Sequence, residues 1–394
     1  MAHDSALMPS SVDVSRIVRT ADMDCDASGD MNKLASELGT GPFALIILFI
    51  APCADFDRVI QGCAAYFPNT PVIGCSTAGE ICKTGYEDRK LVAVALPQSH
   101  FIAKTHLITD LNIRDLSTIA QDMVRTRASL AEIKPNWDYE FNYILIDGLS
   151  RSEDQLVSAL SVGLGPVPLF GGSSADGVDF QRTRILHDGE IYQNAAVLAQ
   201  IRTRCPIKVF KTDHLIPSDQ RMVVTKADPA NRTVSEINAA PAAREYARLL
   251  GKDPEQLTPF TFAAHPVVVR VGGQHHVRAI QRVAENGDLI FFSAIDEGLV
   301  LTLADPMDME DHLARELDAL SATTEPDMIL ACDCILRKLE AQEKQKTRAL
   351  SELLSKRNVV GFSTYGEQYN SMHVNQTLTG VAIYPPKDDA CLHP

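Results

Sequence analysis

The sequence predicts an α/β protein in which two domains, each built on a mixed β-sheet flanked by helices, face each other across a cleft. Short apolar strand segments alternate with amphipathic helix segments along most of the chain, which is the pattern of layered α/β structures. The 394 residues suffice for two or three domains of roughly 150 residues each. Hydrophobic residues make up 45% and charged residues 22%, the composition of a globular protein rather than a disordered one.

Strands and helices alternate clearly through the first half of the chain. The apolar run at residues 44–51 predicts a buried strand, because it is about half as long as the ~20 residues that a membrane-spanning helix needs. The pair Asp188-Gly189 predicts a hairpin over residues 185–201, since this pair favours a tight two-residue turn. The other predicted elements of this half are strands at 72–74, 91–96, 101–108 and 143–146 and helices at 55–68, 115–133 and 153–163.

A change of pattern near residues 217–238 predicts a domain boundary. We place an N-terminal extension at residues 1–41, the first domain at 42–225 and the second at 226–394. Residues 335–356 predict one long helix, supported by charge pairs four residues apart. No internal repeat of fixed short period is evident. The other predicted elements are strands at 267–271, 277–283, 289–294, 328–332, 359–362 and 378–384 and helices at 241–250 and 309–320.

The net charge and the cysteines indicate which partners and which cellular compartment to expect. A net charge of −14 argues against nucleic acids and anionic membranes as partners. The start Met1-Ala2-His3-Asp4-Ser5 lacks the basic and apolar regions of a secretory signal. The nine cysteines are odd in number and widely spaced, which is typical of reduced thiols rather than of a disulfide framework. We therefore expect a soluble, cytoplasmic protein.

Four segments combine glycines with small polar residues where predicted strands end, at 74–80, 148–150, 171–177 and 365–367. Open α/β sheets bind ligands at such strand ends. A single loop of this kind would serve equally well as a tight turn, but four in one chain favour a ligand cleft. The candidate ligand contacts are Cys75, Ser76, Thr77, Gly171, Gly172, Ser173, Ser174 and Asp176.

Catalytic motifs are weak, and we expect no enzymatic activity. The spacing of Gly74, Ser76 and Gly79 misses the nucleophile elbow by one residue, and no phosphate-binding P-loop occurs. Cys75 has no histidine near it in sequence to act as a base, and Cys332-x-Cys334 lacks the spacing of redox or zinc sites. An enzyme that uses Cys75 or Glu80 is kept as an alternative.

Several ordered motifs resemble the FIST family of sensory domains. Residues 74–80 and 167–176 resemble its N-terminal domain. His265-Pro266-Val267, the stretch 277–280, Cys332 and residues 361–367 resemble its C-terminal domain, so the resemblance covers nearly the whole chain beyond about Pro42. It implies a sensory input module that binds small ligands such as amino acids and acts through a partner protein.

Residues 367–377 look most like the nitric-oxide-sensing FIST proteins of the NosP type. This resemblance implies bound haem b, sensing of nitric oxide and regulation of a partner histidine kinase or cyclic-di-GMP enzyme; a homodimer is left open. Haem enters through the resemblance alone, since nothing in the composition indicates it. The cofactor-binding candidates are His265, His373, Arg278, Tyr365 and Glu367.

The axial ligand to the haem iron is expected to be His265, with His373 as the alternative. Both lie in apolar, strand-rich segments, and Pro266 favours an extended conformation for His265 ahead of an apolar wall at 267–269. Polar neighbours make the setting of His373 more compatible with a structural role. Cys75, Tyr365 and His187 are the next candidates if neither histidine binds iron.

A sensor of small metabolites without haem is the alternative function within the same cleft. Arg278 would then hold a carboxylate through two hydrogen bonds. Ser173, Ser174 and Asp176 would hold an amine or hydroxyl groups.

Overall fold

Three six-stranded mixed sheets surround one hydrophobic core, and a fourth, antiparallel sheet lies against them. The computed structural model describes residues 16–27, 31–111, 117–271 and 273–386. Helices flank the sheets, so the predicted mixed α/β class is confirmed. Within the described ranges, no helix is both long enough and apolar enough to cross a membrane.

The first structural unit contains six strands and two α-helices, with a short 3₁₀ helix at Cys25–Ala27. Its helix α2 begins at Phe56 because the Asp55 carboxylate accepts a hydrogen bond from the Arg58 N–H. The elements are β1 (Arg19–Asp24), α1 (Met31–Leu38), β2 (Phe43–Ile50), α2 (Phe56–Tyr66), β3 (Val72–Ser76), β4 (Glu80–Cys82), β5 (Gly85–Glu87) and β6 (Lys90–Pro97).

The second unit repeats this order of elements. Asp188-Gly189 forms the turn between its two hairpin strands, as predicted. The elements are β7 (Phe101–Thr109), α3 (Ser117–Ile133), β8 (Tyr139–Ile146), α4 (Glu153–Leu164), β9 (Leu169–Ser173), β10 (Ile185–His187), β11 (Glu190–Tyr192) and β12 (Ala195–Thr203).

The third unit starts with β13 (Ile207–Thr212) and is then interrupted by residues 215–306, which we call the insert. The insert forms the fourth sheet, in the order β18-β17-β21-β14-β15-β20-β19, with β16 beside β15. Its elements are β14 (Leu215–Asp228), β15 (Thr233–Ile237), β16 (Ala240–Pro241), α5 (Ala242–Leu250), a 3₁₀ helix (Pro254–Gln256), α6 (Pro259–Ala264), β17 (Val267–Val271), β18 (Gln274–Arg278), β19 (Ile280–Val283), β20 (Leu289–Phe291) and β21 (Val300–Pro306).

The third unit resumes after the insert and again follows the same order. The single helix predicted at 335–356 is wrong, because the chain breaks into α8 and α9 near Gln345, whose φ is 55°. The elements are α7 (Met309–Leu320), β22 (Met328–Cys334), α8 (Ile335–Glu343), α9 (Thr347–Lys356), β23 (Val359–Thr364), β24 (Glu367–Tyr369), β25 (Met372–Val374) and β26 (Leu378–Ile383).

The three units exchange hairpins in a cycle. Their sheets have the orders β1-β6-β2-β3-β10-β11, β7-β12-β8-β9-β24-β25 and β13-β26-β22-β23-β4-β5. Each sheet contains one parallel pair from its own unit and ends in a hairpin from another unit. We call these three sheets and their helices the body. Strands from both sides of residues 225/226, which lie within β14 of the insert, pair with each other in the body.

A short sequence repeat accompanies this threefold arrangement. Residues 72–78, 169–175 and 359–365 read VIGCSTA, LFGGSSA and VVGFSTY. Each unit requires a glycine at the third position of this repeat, because a side chain would collide with the parallel neighbour strand. A Cβ there would lie 2.6, 1.9 or 1.8 Å from a carbonyl oxygen of that strand. The repeat has no fixed period because the units differ in length, which explains why the sequence did not reveal it.

The core between the sheets is closed by aromatic and sulfur contacts. Phe49 of the first sheet stacks on Phe362 of the third at 4.7 Å between ring centroids. The Tyr143 hydroxyl of the second sheet lies 4.0 Å from the Cys332 sulfur of the third. This core is common to all three sheets, so the units stabilise one another rather than folding as separate domains.

One cysteine pair departs from the expectation of reduced thiols. Cys25 and Cys53 are joined by a disulfide. Six further cysteines of the described residues lie outside this disulfide and are buried, namely Cys63, Cys75, Cys82, Cys205, Cys332 and Cys334.

Candidate functional site

The carboxyl ends of β3, β9 and β23 meet at the centre of the body. The Ala78 N–H donates to the Ser363 carbonyl and the Ala175 N–H to the Ser76 carbonyl, each over 2.9 Å. The Thr364 hydroxyl donates to the Ser173 carbonyl over 2.7 Å. These bonds join the three strand-end loops into one ring.

The insert covers this ring of loops. Ala78, Ala175 and Tyr365 of the body form one buried apolar cluster with residues of the insert such as Val277 and Phe292. The predicted loops therefore lie at the interface between the body and the insert. We call this interface the candidate site.

Asp176 organises the loop that enters the candidate site from β9. Its carboxylate accepts hydrogen bonds from the N–H groups of Phe180, Gln181 and Arg182 over 2.9, 2.8 and 2.6 Å. The Tyr365 hydroxyl donates to the same carboxylate. Asp176 is thus saturated with protein donors, and its role is to position the loop rather than to receive an amine.

Aromatic rings form an apolar wall beside this loop. Phe180 stacks on Tyr365 at 4.5 Å between centroids, and Phe292 of the insert lies 5.9 Å from Phe180. Tyr365 was a predicted cofactor contact, but its hydroxyl is used by Asp176. Its ring is therefore the part of Tyr365 that is presented to the interface.

Charged side chains from the body and the insert face each other next to the aromatic wall. Arg232 of the insert pairs with Glu153 of α4 at 2.6 Å and lies 3.9 Å from Asp154. Arg278 of the insert lies near Asp154, whose charge opposes the lowering of the arginine pKa by burial. Glu153, Asp154 and Arg232 were missed from the sequence; the acidic pair in the first turn of α4 was the available signal.

Arg278 is a partly buried cation close to Asp154. The bond shown for its guanidinium goes to the Val277 carbonyl over 3.2 Å. One oxygen of Asp154 is buried without a hydrogen-bond partner among the described residues. A partly buried guanidinium and a carboxylate with spare capacity can together bind a ligand that carries both charges.

His373 lies beside the charged groups of the candidate site. Its side chain is 3% exposed, and burial lowers the pKa of the imidazole, so the ring is neutral near pH 7. Nδ1 lies 3.2 Å from the Gln368 amide nitrogen, and Gln368 also donates to the Ser173 hydroxyl. Nε2 has no hydrogen-bond partner among the described residues. A buried imidazole nitrogen without a partner is costly, so Nε2 has the capacity to accept one further hydrogen bond.

The other predicted ligand contacts lie at or near the ring of loops, but most are used by the protein. Ser76 accepts a hydrogen bond from the Arg184 N–H, and Ser174 accepts one from the Gly148 N–H. Cys75 lies in the common core, where burial raises the pKa of its thiol well above the usual value. Gly171 and Gly172 lie in β9, where their backbones pair with β8 on one side and β24 on the other.

Two buried glutamates follow the repeated loops at equivalent positions. Glu367 accepts hydrogen bonds from Thr377 through one oxygen, and burial raises its carboxyl pKa well above the usual value. Glu80 accepts from the Thr77 hydroxyl and from the Lys90 N–H. Burial raises the pKa of Glu80 to about 7, although these hydrogen bonds act in the opposite direction.

The pKa of Glu80 predicts a pH-dependent cost to folding. Because the native carboxyl has a pKa of about 7 and the unfolded one about 4.5, the native state binds more protons between these values. Stability should therefore fall as the pH rises from 4.5 through 7, by about 3 kcal/mol in total. Glu80→Gln removes this titration, so its unfolding free energy relative to wild type should increase by about that amount between pH 5 and pH 8, measured by urea denaturation.

Glu87→Gln is the matched control, since Glu87 pairs with Glu80 across the same hairpin but its side-chain contact is exposed. Its difference from wild type should stay constant over this pH range. A constant difference for Glu80→Gln as well would contradict the assignment.

The surroundings of His373 do not fit a haem. An axial ligand needs a free imidazole nitrogen beside an apolar slot for the porphyrin. Nε2 of His373 is free, but it faces the backbone of Gly366, where a Cβ would lie 2.9 Å away. Two carboxylates and two guanidinium groups also influence this ring. As folded, this position is polar and closely packed.

His265 does not fit a haem either. It caps the end of α6, and its carbonyl accepts a hydrogen bond from the Tyr246 hydroxyl over 2.5 Å. Burial and Lys252 lower the imidazole pKa, while acidic residues of α8 and β21 act in the opposite direction. Of the predicted apolar wall at 267–269, Val267 and Val269 pack within the insert, whereas Val268 packs in the cluster between the insert and the body. His187 contacts Thr105 over 3.1 Å in the body.

We also searched the part of the chain that the structure describes for side chains that could hold a metal ion. There, no group of three or more His, Cys, Asp or Glu side chains is arranged to hold a metal ion.

Comparison with known proteins agrees with the motifs at the strand ends. The FIST N domain family matches residues 44–240, and the FIST C domain family matches residues 242–370. An uncharacterized protein of Methanocaldococcus jannaschii is 24% identical over 382 residues, covering 86% of this chain and 73% of that protein. Both matched regions contribute to the ring of loops and its cover. The chain belongs to the FIST family of sensory, signal-transduction domains.

Proposed function

We propose that this FIST protein senses a small molecule that carries a carboxylate and an amino group, bound between the body and the insert. Arg278 would hold the carboxylate, and Asp154 would hold the amine. His373 Nε2 would accept a further hydrogen bond from the ligand. Phe180, Tyr365 and Phe292 would cover its apolar part.

The observation that carries this proposal is the unused polar capacity at one interface. Arg278, Asp154 and His373 come from β18, α4 and β25, and both β18 and α4 pack against β25. Asp154 Oδ2 and His373 Nε2 are buried without a hydrogen-bond partner among the described residues, and Arg278 is a partly buried cation beside them. Buried polar groups are normally paired, so their concentration here favours a ligand.

Ligand binding at this interface offers a route to a signal. A ligand that bonds to Arg278 of the insert and Asp154 of the body would draw the two together. It would thereby shift the population of their relative arrangements. A partner protein that contacts both would detect the shift. We propose a sensor histidine kinase or a cyclic-di-GMP enzyme as this partner and assign no catalytic step to the chain itself, because the Cys75 thiol is buried and protonated.

Haem binding and nitric-oxide sensing stay a prediction from the resemblance. The free Nε2 of His373 is the observation that favours them, and the close approach of Gly366 is the observation against them. An absorption spectrum of the protein titrated with haem decides between the two candidates. A Soret band that shifts with nitric oxide and is lost in His373→Ala would favour haem.

A thermal-shift screen tests the proposed function directly. The probes are the common amino acids, together with analogues that lack either the carboxylate or the amine. At 100 times its Kd, a true ligand adds about 2.7 kcal/mol of stability, so Tm should rise by at least about 3 °C. Analogues that lack one charge should give much smaller shifts. If no amino acid stabilises the protein, or if the analogues act equally well, the proposal is wrong.

A further inference from the structure

The Cys25–Cys53 disulfide is the accessible redox pair in the described part of the chain. Its Cα atoms lie 6.1 Å apart across 28 residues of sequence. Cys53 is exposed, whereas Cys25 is 1% exposed. Burial raises the thiol pKa of Cys63 to about 12 and raises those of Cys75, Cys82, Cys332 and Cys334 as well. Those thiols react slowly because little thiolate forms.

Both ends of this disulfide are linked to the first loop of the candidate site. On one side, the Cys25 N–H donates to the Arg89 carbonyl over 2.7 Å. The next residue, Lys90, donates its N–H to Glu80 over 2.9 Å, and Glu80 accepts from Thr77. This path runs from the sulfur pair to the loop through backbone and buried side-chain hydrogen bonds.

The second path starts at Cys53, which lies just before α2. The Phe56 ring in the first turn of α2 packs under the Arg184 guanidinium at 4.4 Å. The Arg184 N–H donates to the Ser76 hydroxyl over 3.0 Å. The path from Cys53 therefore ends at Ser76, and the path from Cys25 ends at the adjacent residue Thr77 of the same loop.

We propose that Cys25 and Cys53 form a reversible redox modification site whose disulfide fixes residues 76–90 beside the candidate site. With glutathione disulfide as oxidant, the exposed Cys53 thiolate attacks one glutathione sulfur, which forms a mixed disulfide and releases one glutathione thiolate. Cys25, held next to Cys53 with 6.1 Å between the Cα atoms, gives its proton to the released glutathione thiolate, attacks the Cys53 sulfur and releases the second glutathione as a thiolate. The two cysteines lose two protons and two electrons, and the glutathione disulfide takes up the electrons.

The first measurement identifies the pair. Native protein is equilibrated with glutathione disulfide or with reduced glutathione, alkylated with iodoacetamide, and mapped by mass spectrometry. The oxidised sample should contain a Cys25–Cys53 cross-link, and the reduced sample should carry a label on Cys53. Buried cysteines such as Cys63 should stay unlabelled in the native protein. Absence of the cross-link after oxidation would overturn the proposal.

The second measurement tests the link to the loop by hydrogen exchange. Reduction should speed amide exchange in residues 76–90 by about fivefold or more, while α5 in the insert should be unaffected. Cys53→Ser should exchange like the reduced wild type whether or not glutathione disulfide is present; the exposed position makes this change tolerable for folding. Equal exchange in oxidised and reduced wild type, or a response that survives in Cys53→Ser, would overturn the coupling. Neither measurement depends on the ligand of the proposed function.

Discussion

Replacing Asp176 with alanine is expected to lower the free energy of unfolding by about 3 kcal/mol, because several donors lose one buried charged acceptor. Three backbone N–H groups of residues 180–182 and the Tyr365 hydroxyl all bond to this carboxylate. The loop then loses the bonds that hold Phe180 against Tyr365. Urea denaturation measures the change, and near-ultraviolet circular dichroism reports the aromatic packing.

Asp179→Ala is the matched control for this prediction. Asp179 lies in the same loop and is exposed, so its replacement should change stability by less than about 0.5 kcal/mol. If Asp176→Ala were as mild as Asp179→Ala, Asp176 would not organise the loop.

Local patterns in the sequence were enough to locate the strand ends and their loops. The apolar run at 44–51 is the buried strand β2, and the glycine-containing segments at 74–80 and 171–177 do meet in space. These features are local, since periodicity reflects burial and glycine reflects close backbone approach. The mixed α/β class followed from the same information.

The exchange of hairpins could not be predicted in this way. The pairing of β24 with β9 joins Glu367 to Gly172, residues that are far apart in sequence. Periodicity shows that a segment is a strand but not which neighbour it selects. The repeated heptapeptides at 72–78, 169–175 and 359–365 were the one sequence signal of the threefold arrangement, and unequal unit lengths concealed it.

The charged residues of the candidate site were predicted only in part for a similar reason. Arg278 was chosen from its motif, whereas Glu153, Asp154 and Arg232 become neighbours through folding alone. His265 was preferred over His373 because its sequence neighbours are apolar. In the structure Val267 and Val269 pack inside the insert, Val268 packs between the insert and the body, and His373 is the more buried imidazole.

Arg278→Gln is expected to have the largest effect on ligand binding. Glutamine keeps a polar side chain of similar size but lacks the charge and the paired N–H donors that a carboxylate requires. Loss of one partner from a desolvated charge pair costs about 2 kcal/mol or more, so the Kd should rise by about 30-fold or more. Arg282→Gln is the matched control, because Arg282 is an exposed arginine in the same sheet of the insert.

Isothermal titration of the wild type and both arginine variants is the most direct test of the claim that the site lies between the body and the insert. The titrant is the amino acid that gives the largest thermal shift. Binding should weaken by about 30-fold or more in Arg278→Gln and stay within about twofold of wild type in Arg282→Gln. Wild-type affinity in Arg278→Gln, with the fold intact by circular dichroism, would contradict the account and place the ligand elsewhere.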